Sequence, residues 1–224
     1  METQRKTAII LGATGLTGGI LLRLLLEDDR YVKVKLFSRS STGLSHQKIE
    51  EHLGDLMQLA QFEADFTGDE VFCCIGTTKS KTPNKEAYRK IDYGIPVAVA
   101  KLSAKNGISS FLVMSSMGAN AKSKVFYSRL KGEMEEAVLG ENIKNTYLFR
   151  PSLIGGQREE KRIGELLFKQ LMKVVNLVLA GPLEKYRSIK PETIAKAMIR
   201  VANGAYTTPI IESDKIKKIA EGSD

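Results

Sequence analysis

The sequence predicts an α/β chain: a doubly wound parallel sheet with a small C-terminal lobe over its substrate side. Three observations predict it. Short apolar runs alternate with amphipathic segments through the first 150 or so residues, the pattern of strands joined by crossover helices. The run Glu70–Ile75 is apolar after its first residue, as in a strand covered by helices on both faces. Glycines gather at Gly12, Gly15, Gly18 and Gly19, directly after the first apolar run.

Each element has its own signal. Thr7–Leu11 is a short apolar strand, and the apolar period of Ile20–Leu26 marks the helix after the glycine turn. Val32–Phe37 alternates and forms a second strand; Ile49–Leu53 is a weaker third; Glu70–Ile75 is the fourth. Tyr88–Asn106 is a long helix with small residues at Ala98, Ala100 and Ala104 for close packing. Phe111–Met114 is a fifth strand, Tyr127–Leu139 a helix and Thr146–Phe149 a sixth strand. After Pro151 the pattern loosens. Glu165–Val178 is an amphipathic helix, Ser188-Ile189 a short strand, and Pro191 opens another helix. Pro209–Glu212 is a last strand and Asp214–Ala220 a closing helix. The chain is expected to be one nucleotide-binding domain over residues 1–224, with 151–224 supplying the substrate-side lobe.

Composition narrows the function. At 224 residues, with 42% hydrophobic and 27% charged, the chain suits one soluble globular domain and not a disordered one. No apolar stretch approaches the ~18 residues of a membrane span. The polar start, Met1–Thr7, has no signal-peptide pattern, so the expected location is the cytoplasm. Lys+Arg of 34 against Asp+Glu of 26 gives a net charge of +8. The basic residues are spread out, with one modest cluster at Lys79, Lys81, Lys85, Arg89 and Lys90, and no zinc-finger or aromatic-interleaved basic pattern accompanies them. Neither a nucleic-acid partner nor a membrane partner is expected. Two histidines and the adjacent pair Cys73-Cys74 offer no spacing for a metal site or a redox motif. The cysteines sit in an apolar strand, where a thiol is usually core.

The first turn is Gly12-Ala-Thr-Gly15-Leu-Thr-Gly18. Gly12 permits a tight turn off the strand. Gly15 lets the backbone approach a pyrophosphate, and Gly18 lets the helix pack closely on the sheet. Free N–H groups at the helix start then face the phosphates. The candidate cofactor contacts in this turn are Gly12, Thr14, Gly15, Leu16, Thr17 and Gly18. Those after the second strand are Ser38 and Arg39. That strand ends without a carboxylate for a ribose 2′-OH, and Arg39 suits a 2′-phosphate, so NADP is expected over NAD. Asp55 and Leu56 follow the third strand, where the adenine belongs. Cys74, Ile75 and Gly76 end the fourth, where a dinucleotide passes.

Tyr127 and Lys131 are four apart on a predicted helix and share one face. A lysine ammonium beside a phenol favours the phenolate, which makes the hydroxyl a usable acid or base. Three tyrosines carry a lysine at this spacing. Tyr31–Lys35 falls in a strand, and Tyr186–Lys190 runs into Pro191, which disfavours helix before it. Only Tyr127 follows a strand ending Met114-Ser115-Ser116, whose hydroxyls are placed to polarise a carbonyl.

These segments together resemble the short-chain dehydrogenase/reductase superfamily, in particular its atypical members of the Tat-interacting oxidoreductase type. The shared segments are Ile10–Gly18, Phe72–Thr78, Leu112–Ala119, Tyr127–Glu133 and Phe149–Pro151. The resemblance thins after Pro151. It implies a Rossmann domain binding NADP(H) and a Ser/Tyr/Lys site. Tyr127 would exchange a proton with the substrate oxygen, Lys131 would hold the ribose, and Ser116, rather than Ser115, would orient the carbonyl. Pro151 would line the nicotinamide. The function implied is an oxidoreductase acting on a small carbonyl or alcohol. Two alternatives stand beside it: an NADPH-binding regulatory protein with a protein partner and no turnover, and a sugar epimerase-like enzyme. The ~70 residues after Pro151 are few for a nucleotide-sugar lobe.

Overall fold

Alternate residues of each strand face opposite helical layers, and this period of two organises the molecule. The computed structural model describes residues 5–155 and 186–223. Among them, seven strands form one sheet: β1 (Lys6–Leu11), β2 (Tyr31–Ser38), β3 (Ile49–Leu53), β4 (Glu70–Cys73), β5 (Ser110–Met114), β6 (Asn145–Arg150) and β7 (Ile210–Glu212). Their order is β3-β2-β1-β4-β5-β6-β7, and every neighbouring pair is parallel. The sheet is a Rossmann-type doubly wound sheet, as expected from the sequence.

Ala8 and Ile10 of β1 point into one layer, with Phe72, Leu112 and Phe149. That layer is closed by α1 (Leu16–Glu27), α5 (Pro191–Ala202) and α6 (Ser213–Glu221). Ile9 and Leu11 point the other way, with Phe37, Val71 and Phe111, against α3 (Ile95–Lys105) and α4 (Phe126–Leu139). The part of the expected C-terminal lobe within the described residues is built into these layers. β7 extends the sheet beyond β6, and α5 packs on α1. Ser188-Ile189 contributes only a bridge, Ile154 to Ile189. The helix expected at Glu165–Val178 lies outside the described residues. Among the described residues no helix is long and apolar enough to cross a membrane.

One expected helix is broken. In place of an unbroken Tyr88–Asn106, α2 (Lys85–Arg89) passes through a π-turn at Lys90–Gly94 into α3. Pro96 has no N–H for the carbonyl of Asp92, and its ring would collide with that oxygen, so the helix widens there.

A polar network crosses the layers at the amino ends of β1, β2 and β4. Glu70, almost fully buried, accepts from the Lys6 ammonium and, at 2.5 Å, from the Tyr31 hydroxyl. Asn203, just past α5, accepts from Lys6 Nζ at 2.9 Å and donates to Tyr31 Oη at 2.7 Å. Burial pushes the Glu70 carboxyl up, against the pull of Lys6 and Tyr31.

Candidate functional site

The carboxyl ends of β1 and β4 lie where the strand order reverses, the usual place for a ligand in such a sheet. β1 runs into Gly12, which has φ +90°. A Cβ on Gly12 would stand 2.8 Å from the Cys74 carbonyl, and one on Gly18 only 2.2 Å from the Gly12 carbonyl. Both positions therefore require glycine. Gly15 differs: its backbone is extended, and its added Cβ would meet the Gly12 oxygen at 3.1 Å. Gly15 caps α1 without a side-chain hydrogen bond to the helix start. The bare turn, the uncapped N–H groups and a cleft of about 1020 Å³ lined by Ala13, Thr14, Gly15 and Leu16 fit a dinucleotide's phosphates.

The other expected cofactor contacts are placed unevenly around this turn. Thr17 is buried in the first turn of α1. Ser38 is buried at the end of β2, its hydroxyl donating to the Ser40 carbonyl at 2.7 Å. Arg39 is exposed and has no ion-pair partner among the described residues. The Asp55 carboxylate accepts the Met57 N–H at 2.9 Å, while Leu56 is core, beside Phe37 and Phe62. Cys74 and Ile75 are half-buried and Gly76 is exposed. Both cysteines are free thiols. Burial pushes Cys73 up to about 11 and Cys74 further up, so neither is a ready nucleophile. Pro151 is buried, and its carbonyl accepts the Met117 N–H at 3.0 Å, fixing the loop after β5.

α4 carries Tyr127, Lys131 and Glu135 at successive four-residue steps, so they share a face. Lys131 is only 2% exposed; its Nζ lies 3.0 Å from Asp92 Oδ1 and 3.3 Å from the Met114 carbonyl. Asp92, 1% exposed, accepts the Thr77 N–H on its other oxygen at 2.8 Å. Burial alone would drive Lys131 towards its neutral form; Asp92 outweighs it and holds the ammonium above the ordinary lysine value, with Tyr127 adding to the effect. Tyr127 is 39% exposed and meets Tyr88 edge-on, with ring centroids 6.3 Å apart. Tyr88 is in turn anchored through its hydroxyl to the Thr77 carbonyl at 3.0 Å.

The two serines separate by their partners. The Ser115 hydroxyl donates to Glu135 in a short hydrogen bond, and Arg150 grips the same carboxylate at 2.9 and 2.5 Å while reaching Glu212 at 3.1 Å. Among the described residues, the hydroxyl of the half-buried Ser116 has only a contact to the Met117 carbonyl at 3.2 Å. Asp92 and Glu135 are the residues that sequence reasoning missed. Asp92 is marked in the sequence only by Pro96 four residues on, and Glu135 only by its four-residue step from Lys131.

Gly132, between Lys131 and Glu133, has a steric reason to be glycine. A Cβ there would meet the Ala121 nitrogen at 2.1 Å, so α4 and the loop after β5 touch backbone to backbone. Gly132→Ala is expected to destabilise the fold by roughly 1–3 kcal/mol, despite alanine's better helix propensity. A urea titration checks this, and a variant as stable as the parent would show that the loop has room to move.

Comparison with known proteins agrees with this geometry. Residues 12–153 match the NAD(P)H-binding family. The chain is similar to Protein HTATIP2 of Rattus norvegicus, 28% identical over 100% of this chain and 93% of that protein. It is also similar to Protein FMP52, mitochondrial, of Meyerozyma guilliermondii, 31% identical over 87% of this chain and 84% of that protein. The Bordetella bronchiseptica enzyme WbmH, solved in complex with NAD+, superposes with a TM-score of 0.68 over 97% of this chain and 80% of its own, at 16% identity; at that identity the likeness is one of fold. The glycine turn, the parallel sheet and these matches agree: the chain belongs to the NAD(P)H-binding family and is related to Protein HTATIP2.

Proposed function

We propose that the protein is an NADP(H)-dependent oxidoreductase acting on a small carbonyl or alcohol through Ser116, Tyr127 and Lys131. The observation that carries this reading is the buried Lys131–Asp92 pair, which keeps a full ammonium one helical turn from an accessible phenol. A structural ion pair needs no accessible phenol beside it, whereas acid–base chemistry does.

Gly12, Gly15 and Gly18, with the first N–H groups of α1, would hold the pyrophosphate, and the Ser40–Thr42 loop past β2 would border the adenosine end. When bound, the nicotinamide supplies or accepts a hydride. Tyr127 holds the proton at Oη for the substrate oxygen. Ser116 Oγ donates to the same oxygen, since Ser115 is engaged by Glu135. Asp92 and the Met114 carbonyl occupy two of the three donors of Lys131, which leaves one for a ribose hydroxyl. NADP is preferred over NAD in this reading because Phe37–Ser40, at the end of β2, has no carboxylate for a ribose 2′-OH, and Arg23 lines the cleft beside the loop that follows. The cytoplasmic location belongs to the proposal too. The Meyerozyma guilliermondii relative carries "mitochondrial" in its name, and fractionation of tagged protein decides between the two compartments.

The test combines cofactor titration with a carbonyl-reduction screen followed by NADPH absorbance. Gly15→Val is expected to weaken NADPH binding by about 100-fold or more, because a β-branched side chain fills the space beside the phosphates. Circular dichroism should report a folded chain, since the backbone at this position is extended. Normal binding by Gly15→Val would remove the phosphates from this turn. Tight NADPH binding with no turnover on any carbonyl would overturn the oxidoreductase reading in favour of a regulatory one.

A further inference from the structure

We infer that Arg23 and Lys81 form a two-sided cationic clamp on the cofactor: Arg23, facing the Ser40–Thr42 loop, reads the 2′-phosphate, and Lys81 crosses the pyrophosphate. The inference rests on the NADP(H) reading above and names the residues that would enforce it.

Both side chains line the cleft over the glycine turn, together with Ser40, Ser41 and Thr42. Both are exposed, and neither side chain has a hydrogen-bond or ion-pair partner among the described residues. Two uncommitted cations facing one cleft raise the local concentration of an anion. Position divides their roles. Arg23 is eight residues past Gly15, so its Cα lies about 12 Å up α1 from the helix start. Across the cleft from it lie Ser40, Ser41 and Thr42, in the loop that follows β2. A pyrophosphate on the first turn of α1 is too far away, whereas a group projecting from the adenosine ribose is not. The facing loop is already set. Glu51 accepts from the Ser41 hydroxyl at 2.6 Å, and from the Thr42 N–H and hydroxyl at 2.8 and 2.7 Å. Lys81 follows β4, on the opposite side of β1 from β2. To line the same cleft it must reach over the glycine turn itself. Arg39, the residue the sequence singles out for this task, does not line the cleft.

The test is calorimetric titration of the full chain with NADPH and with NADH, for the parent and for Arg23→Ala, Lys81→Ala and Arg39→Ala. Arg23→Ala is expected to weaken NADPH by roughly 10- to 100-fold and leave NADH within about twofold, the effect of losing a charge-assisted contact to a phosphate. Lys81→Ala should weaken both cofactors by one common factor of about three to ten. Arg39→Ala should change neither. The assignment is overturned if Arg39→Ala and not Arg23→Ala removes the preference, or if Arg23→Ala weakens both cofactors equally. Equal affinity of the parent for NADPH and NADH overturns the 2′-phosphate subsite alone. A parent that binds neither overturns the underlying cofactor reading.

Discussion

Replacing Tyr127 by phenylalanine is expected to lower the rate of any carbonyl reduction the protein performs by about 10²–10⁴, the usual weight of a positioned acid. The ring stays where it is. It is held edge-on to Tyr88, which is anchored to Thr77 and not to the Tyr127 hydroxyl. NADPH affinity is therefore expected to survive within a few-fold, and the loss should fall on kcat. Tyr31→Phe is the contrasting variant. Its hydroxyl sits in the Glu70 network at the opposite end of the sheet, so it should cost stability and leave the rate alone. Full activity in Tyr127→Phe would return the Tyr127–Lys131 pair to an incidental neighbourhood on a helix.

The second large effect is thermodynamic. Asp92→Leu removes the only carboxylate paired with Lys131 among the described residues and leaves an ammonium buried without a counter-charge. Breaking one side of such a pair costs about 3–5 kcal/mol. The Thr77 N–H loses its acceptor as well. The pH dependence should change sign. In the parent, Lys131 is held above the ordinary 10.5, so its contribution is present at neutral pH and is lost only as pH rises through that raised value. In Asp92→Leu, burial acts unopposed and the folded-state value drops below the unfolded one. Stability should then improve as pH rises towards 10.5. Urea titrations across pH 7–10 would show this. Adding Lys131→Met should recover much of the loss, because an apolar pair in place of a buried ion pair is tolerated. A double variant no more stable than Asp92→Leu would place the damage in the Thr77 loop and not in the lysine.

The strands were legible because burial on both faces leaves little freedom in composition. Phe111–Leu112–Val113 is apolar whichever way each residue points, since the two helical layers each claim alternate members. The glycine turn was legible because Gly12 and Gly18 answer to steric demands within a few residues of themselves. The site's electrostatics were not. Asp92 and Lys131 are 39 residues apart and meet only once α3 and α4 lie side by side, so neither neighbourhood in the chain announces the other. Ser116 was preferred to Ser115 by position alone, and the structural difference between them was hidden for the same reason. It turns on Glu135 and Arg150, which come from α4 and β6. Arg39 shows the opposite hazard: it has the right charge at the right strand end, yet Arg23 and Lys81 line the cleft.

The Glu70 network also bears on how the chain is made. Lys6 and Asn203 are separated by 197 positions and meet at 2.9 Å, and α1, which presents the glycine turn, packs on α5, whose first residue is Pro191. A nascent chain emerging from the ribosome would therefore carry the nucleotide turn long before the helix that seats it. Until α5 is out, the apolar face of α1 lacks that partner and stays open to chaperones and proteases. Competence to take up the dinucleotide should consequently wait for α5, so that chains cut short before Pro191 neither sequester the nucleotide nor persist.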